Sequence, residues 1–192
     1  MGFGLFLPYC CAMASEPGAV TVRQARPEDV GRLLAIQLAA GNAFRDIGMP
    51  AAADTFPLPA ESLSGYRRAG RAWVAADEHD EPVGFVVFDV VDGCAHIEQV
   101  SVHPAHAGQR IGAMLLDYVA EWAAAQDMPA MTLITFRGVP WNAPYYERLG
   151  FRELGEREVT PELAARNADQ GGNSSARVCM LRDLTPAGGT KT

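Results

Sequence analysis

Hydrophobic positions along this chain change their period several times, and each change marks a new element. From Ala19, AVTVRQA alternates with period two, as a strand covered on one face does. Arg26-Pro27-Glu28-Asp29 then opens a helix, with proline and acids in its first turn. Val30, Leu33, Leu34 and Leu38 recur at helical spacing and give it one apolar face. Residues 41–59, with Gly48, Pro50, Pro57 and Pro59, read as an irregular connection. A short helix over 60–69 follows, closed by Gly70. RAWVAAD and PVGFVVFDVV are β-rich runs separated by EHDE, and Asp92-Gly93 turns the second into CAHIEQVSV. Asp-Gly between such runs signals a hairpin, so the middle of the chain is expected to be an antiparallel meander.

The loop HPAHAGQR leads into a helix over 110–126, with Ile111, Leu115, Tyr118 and Trp122 expected on its buried face. MTLITF is an apolar strand, residues 142–150 a short helix, and FREL a further strand. Thr160-Pro161 is an N-cap followed by proline at the first helical position, and RVCMLRDL closes as the last strand. The order β-α-α-β-β-β-α-β-α-β-α-β shows no repeat and no long linker. It describes one α/β domain, α+β in its segregation, over 19–185. Residues 1–18 read as a disordered leader and 186–192 as a disordered tail. Ala12-Met13-Ala14 is similar to a signal-peptidase site, but no basic residue precedes it and Pro8 interrupts the apolar stretch.

Composition narrows the function classes. At 48% hydrophobic and 20% charged, the chain is that of a folded globular protein. A net charge of −7 argues against an electrostatic hold on nucleic acid or on an anionic membrane. No apolar run approaches the ~20 residues that span a bilayer. Cys10, Cys11, Cys94 and Cys179 lack zinc-ligand spacing, so no metal is expected. They read as reduced thiols of a cytoplasmic protein.

Candidate chemistry concentrates in three segments. In VSVHPAHAGQRIGAMLL (100–116) a strand ends, Pro104 stops pairing, and a loop with Gly108 and Gly112 runs into a helix. Amides at a helix start converge on one spot, and the dipole adds positive charge there, which suits phosphate oxygens. Arg110, disfavoured by that dipole, would be favoured by a bound polyanion. In PWNAPYYERLGF (140–151), Asn142 is expected to cap a short helix and Gly150 to close it, with Tyr146 one turn beyond Asn142. In HIEQVSV, period two puts His96 and Glu98 on the side of Val100 and Val102. An acid and an imidazole there are costly to bury unless paired or used.

In this order, the segments resemble the GCN5-related N-acetyltransferase (GNAT) superfamily. The first is similar to its acetyl-CoA motif, V-x-P followed by R/Q-x-x-G-x-G/A and a Leu-rich helix, aligned on Val102, Pro104, Ile111, Gly112, Leu115 and Leu116. It departs at Ala107, where the family has Arg or Gln, and at Arg110, where it has Gly. The second resembles the family's A-x-x-F/Y-Y-E-x-x-G-F element, with a shorter Asn-to-Tyr spacing. The resemblance implies a GNAT fold: a mixed, mostly antiparallel sheet of about seven strands flanked by helices, with the fourth and fifth strands splayed to hold coenzyme A.

It further implies transfer of an acetyl group from acetyl-CoA to a primary amine of a small molecule or peptide, in a ternary complex. A non-catalytic acyl-CoA-binding or sensing module on the same fold is the alternative. The implied cofactor contacts are the main chain of Val100 and Val102, then Ala107, Gly108, Gln109, Arg110, Ile111, Gly112, Ala113, Asn142 and Tyr146. Tyr146 would protonate the CoA thiolate, and Glu98, or else His96, would act as base. The acceptor pocket is expected among residues 41–59, Tyr66, Phe136, Arg137 and Trp141, with Phe44, Tyr66 and Trp141 as an apolar wall. Neither nucleic acid nor membrane is an expected partner, and the state is expected to be monomer or homodimer.

Overall fold

The computed structural model describes residues 20–55, 57–169 and 176–184. The expected leader and tail lie outside the described residues. Every strand-like run of the sequence joins one sheet. Its strands are β1 (Thr21–Gln24), β2 (Ala72–Ala76), β3 (Pro82–Val91), β4 (Cys94–Val102), β5 (Ala130–Phe136), β6 (Arg152–Glu153) and β7 (Arg177–Asp183). Their spatial order is β1-β2-β3-β4-β5-β7-β6, and all neighbours are antiparallel except β4 and β5. The helices are α1 (Val30–Asp46), α2 (Pro50–Thr55), α3 (Ala60–Arg68), α4 (Ile111–Ala124), α5 (Ala143–Arg148) and α6 (Pro161–Asp169). The β3–β4 hairpin turns as its sequence requires: Asp92 (φ 51°) and Gly93 (φ 74°) are both left-handed, which matches the strand twist.

Two expectations about the helices are corrected. The stretch 41–59 is largely helical, because α1 runs on through Gly41 and Phe44 and α2 packs back on it. A Cβ at Gly41 would stand 3.6 Å from the Ala53 carbonyl, an ordinary van der Waals contact that shows how near α2 lies to α1. Pro50 sits harmlessly at the first position of α2, where an N–H would lack a partner anyway. Buried Gln37 ties the following segment down, donating to Leu58 O at 2.8 Å and accepting from Leu58 N at 3.0 Å. The buried face of α4 is also rotated from expectation. Leu115, Leu116, Val119 and Ala123 are buried while Tyr118 is 38% exposed. The alanines bring the helix close to the sheet, and the larger rings are turned to its margins, Tyr118 against Trp73 and Trp122 against Phe88.

One sheet face lies under α4, with Val86, Phe88, Ala95, Ile97, Met131, Leu133 and Met180 in that core. The other lies under α1 and α3 with Val74, Phe85 and Val87. A bulge in β4 controls which residues face which side. Val87 pairs with Gln99 and Phe88 with Ile97, which leaves Glu98 as the extra residue. Alternation shifts by one there, so Ala95 and Ile97 share the α4 face with Val100 and Val102. His96 therefore faces away from Val100 and Val102, against the period-two expectation. Finally, β4 and β5 pair only from Ala95–Met131 to Ile97–Leu133, and beyond that point they part.

Candidate active site

A cavity of about 650 Å³ occupies the parting of β4 and β5. At one end it is lined by Pro104, Ala107, Gly108, Arg110, Gly112 and Ala113; through the gap by Glu98, Val100, Val102, Leu133, Asn142 and Tyr146; at the far end by Ala43, Phe44, Phe136, Trp141 and Arg177. It runs from the start of α4 to the α1 side of the sheet. Among the described residues, no cluster of His, Cys, Asp or Glu could hold a metal ion.

The α4 end is built as an anion cradle. Gly108 (φ 79°) and Arg110 (φ 60°) both take left-handed backbone, and Arg110 is the residue that caps the helix. The glycine usual at Arg110 in the resembled motif now has a physical reason, since an L-residue is strained there. The first in-helix bond is donated by Met114 to Arg110 O at 3.0 Å, so the amides of Ile111, Gly112 and Ala113 have no intrahelical acceptor. A Cβ on Gly112 would lie 3.0 Å from the Tyr145 hydroxyl, which is bonded to the Ala113 amide. Arg148 lies over the Tyr145 ring, 5.9 Å from its centroid, and adds a second guanidinium near Arg110's end of the cavity. Gln109 lines a neighbouring surface groove instead.

Tyr146 stands in the gap, edge-on to Phe151 and Tyr145. The short helix that carries it closes on Gly150 (φ 86°), with Phe151 N donating to Tyr146 O at 3.1 Å. Burial pushes the Tyr146 phenol well above its ordinary range. Asn142 does not cap this helix with its side chain. Its carbonyl takes that place, accepting from Tyr145 N at 2.8 Å and Tyr146 N at 3.0 Å. That leaves the buried Asn142 side chain to line the cavity.

The bulge presents Glu98 to the cavity while its Oε1 is paired with Arg166 of α6. Arg166 also reaches Asp89 at 3.0 Å, and Asp89 is paired with Arg71. Burial pushes the Asp89 carboxyl up, but the Val90 amide and the two guanidinia outweigh it and hold it below the usual range. His96 is fully buried behind the strand, sharing a 2.8 Å hydrogen bond between its Nδ1 and Thr132 Oγ1. Its Nε2 has no hydrogen-bond partner among the described residues. Burial, helped by Arg166 and opposed by Asp89, lowers its pKa from 6.5 to about 4, so the ring is neutral. His96 does not reach the cavity lining.

Of the expected acceptor residues, Phe44, Phe136 and Trp141 do line the far end, with Phe44 centroids 5.7 Å from Phe136 and 5.8 Å from Trp141. Tyr66 packs in the core under α1 and α3, and exposed Arg137 pairs with Glu153; neither lines the cavity. Sequence reasoning missed Gln99, Ser101, Tyr145 and Arg177, which do. Tyr145 was visible as the neighbour of Tyr146, but the other three depend on the bulge and on β7 lying beside β5.

This arrangement, a strand gap leading from a glycine-bearing helix start to an aromatic-walled chamber, accompanies a direct sequence match. Residues 42–151 match the model of the acetyltransferase (GNAT) family. The chain belongs to the GNAT family of acetyltransferases. Over 141 residues this GNAT chain is 26% identical to the peptidyl-lysine N-acetyltransferase YjaB of Salmonella typhimurium, covering 73% of this chain and 88% of that protein. Solved structures share the fold at lower identity. A GNAT-family acetyltransferase of Staphylococcus aureus superposes with a TM-score of 0.68 at 16% identity, covering 87% of this chain and 100% of that one. The PaiA N-acetyltransferase of Thermoplasma acidophilum, solved with coenzyme A, gives 0.66 at 14% identity over 86% and 99% of the two chains.

Proposed function

We propose that this GNAT acetyltransferase moves an acetyl group from acetyl-CoA to the nitrogen of a primary amine by direct attack within a ternary complex. One observation carries the reading: the cavity is continuous from the α4 cradle, through the gap beyond Ile97 and Leu133, to the aromatic chamber. A diphosphate suits the free amides of Ile111 and Gly112 and the guanidinia of Arg110 and Arg148. The main chain of β4 past Ile97, released by β5, suits an amide-bearing arm laid along it as an added strand. The relative YjaB is a peptidyl-lysine N-acetyltransferase, which supports an amine nitrogen as the acceptor.

An alkyl ammonium must lose a proton before it attacks. Glu98 takes that role in this reading, directly or through a water, from its place in the cavity lining with Arg166 paired to its Oε1. His96, sealed behind the strand, is the weaker candidate. The β4 main-chain N–H near Val100 would steady the developing oxyanion. Tyr146 would give its proton to the departing thiolate. Burial raises the phenol, and it raises a thiol beside it in the same direction, so the transfer requires the leaving thiolate to be desolvated at least as strongly as the tyrosine. Amine-dependent release of thiol from acetyl-CoA, screened over a panel of amines, is the expected result. Tight CoA binding with no release on any amine would make the chain an acyl-CoA sensor instead.

A further inference from the structure

Glu98 is the extra residue of the β4 bulge, and its carboxylate is held by a helix from a distant part of the chain. That helix, α6, docks along the end of β3 in three steps. Thr160, which precedes it, donates to Asp92 Oδ2 at 2.6 Å and accepts from Leu163 N at 3.2 Å. Leu163 is buried in one cluster with Val91. Arg166 donates to Asp89 Oδ2 at 3.0 Å. Residues three apart share a helix face, so the row Thr160, Leu163, Arg166 follows β3 from Asp92 back to Asp89. The third step delivers the guanidinium to Glu98. The match to the GNAT family ends at residue 151, so α6 lies outside it.

The charges around Glu98 are unevenly shared. Arg166 is paired with Glu98 and Asp89, and its Nε lies 3.6 Å from Glu162 Oε1 of α6. Arg71, just before β2, is paired with Asp89. Tyr66 of α3 and His96 of β4 both lie within reach of the Arg166 charge. Tyr146 of α5 and Arg177 of β7 line the same cavity as Glu98, whereas Arg166 does not. Without Arg166, Glu98 would keep Asp89 as a neighbouring like charge and lose its paired cation. A carboxylate so placed takes up a proton more readily.

We propose that Arg166 is a positioning residue for the base of the reaction. It fixes the direction of the Glu98 carboxylate at the bulge and keeps it ionised for the incoming ammonium. This rests on the reading of Glu98 as base.

The test is the pH dependence of kcat/KM for an accepted amine, followed by thiol release from acetyl-CoA. Its acid limb reports the base of the free enzyme. In Arg166→Met the limb should move up by about 1 pH unit or more, the effect of one opposite charge lost beside a carboxyl. The rate on that limb then falls roughly 10-fold, and the alkaline plateau much less. Arg166→Lys should hold the limb near its wild-type place. A limb that stays put in Arg166→Met, whatever the overall rate, means that Arg166 only anchors α6, and overturns the proposal. If Arg166→Met does not fold, Asp89→Asn decides with the opposite sign: removing the like charge should move the limb down, and an unmoved limb overturns the proposal. Glu98→Gln tests the underlying reading separately. Loss of the limb with a rate reduced on the order of 100-fold supports Glu98 as base. Full activity in Glu98→Gln removes that reading, and this proposal with it.

Discussion

Arg110 holds a left-handed backbone (φ 60°) that costs an L-residue about 1–2 kcal/mol. Arg110→Gly should therefore raise stability by about 1 kcal/mol, read from the urea midpoint, while weakening CoA binding if its guanidinium meets the diphosphate. His96 titrates with a definite sign. Its folded pKa is depressed from 6.5 to about 4, so between those values the unfolded chain binds a proton that the native one refuses. Stability should be flat above pH 6.5 and fall by about 3 kcal/mol as pH drops to 4. In His96→Asn that part of the slope should vanish, whatever the variant's absolute stability; urea titrations at several pH values decide it. At Tyr146, replacement by Phe should cut kcat on the order of 100-fold with CoA affinity nearly kept. An unchanged rate would remove the tyrosine from the chemistry.

Elements carry the next level of constraint, and Gly84 shows how tightly β3, β4 and α4 are joined. A Cβ there would meet Ile111 Cγ2 at 3.1 Å, Ser101 O at 3.1 Å and Val102 Cγ2 at 3.3 Å. Ile111 begins α4, so the clash reaches the anion cradle through a packed contact. Gly84→Ala should cost about 1–3 kcal/mol and weaken CoA binding together, measured by denaturation and calorimetric titration. Most elements were legible in the pattern: the Asp92-Gly93 hairpin, Gly70 and Gly150 as closing residues, and Thr160 accepting from Leu163 N at 3.2 Å all formed as read. The second half of α1 and α2 were not. Gly48, Pro50, Pro57 and Pro59 suggested coil, but a proline at a helix start and a glycine in a turn between helices break nothing.

For the molecule as a whole, the decisive strand comes last in the chain. β7 inserts between β5 and β6, contributing Val178 and Met180 to the core under α4. A chain stopped before Arg177 should fail to fold, because β5 loses a long antiparallel partner and the core loses two buried side chains. Far-UV circular dichroism and a lost cooperative transition would report this. The same late strand brings Arg177 beside Phe136 and so completes a chamber begun by α1, far earlier in sequence.

Local chemistry by itself determined the order of strands and helices, the glycine-bearing loop before α4 and the place of Tyr146 in the chain. Each follows from periodicity, capping or turn residues acting over a few neighbours. Only the tertiary structure decided that β5 lies between β4 and β7, where β4 and β5 part, and that Glu98 occupies a bulge with Arg166 on its carboxylate. The apolar positions of β4 change phase between Ile97 and Val100, but only the pairing with β3 shows that the change is a bulge at Glu98. The pairing of Glu98, the burial of His96 and the lining of the acceptor chamber all descend from it. They arise from contacts between residues distant in the chain, which no local pattern encodes.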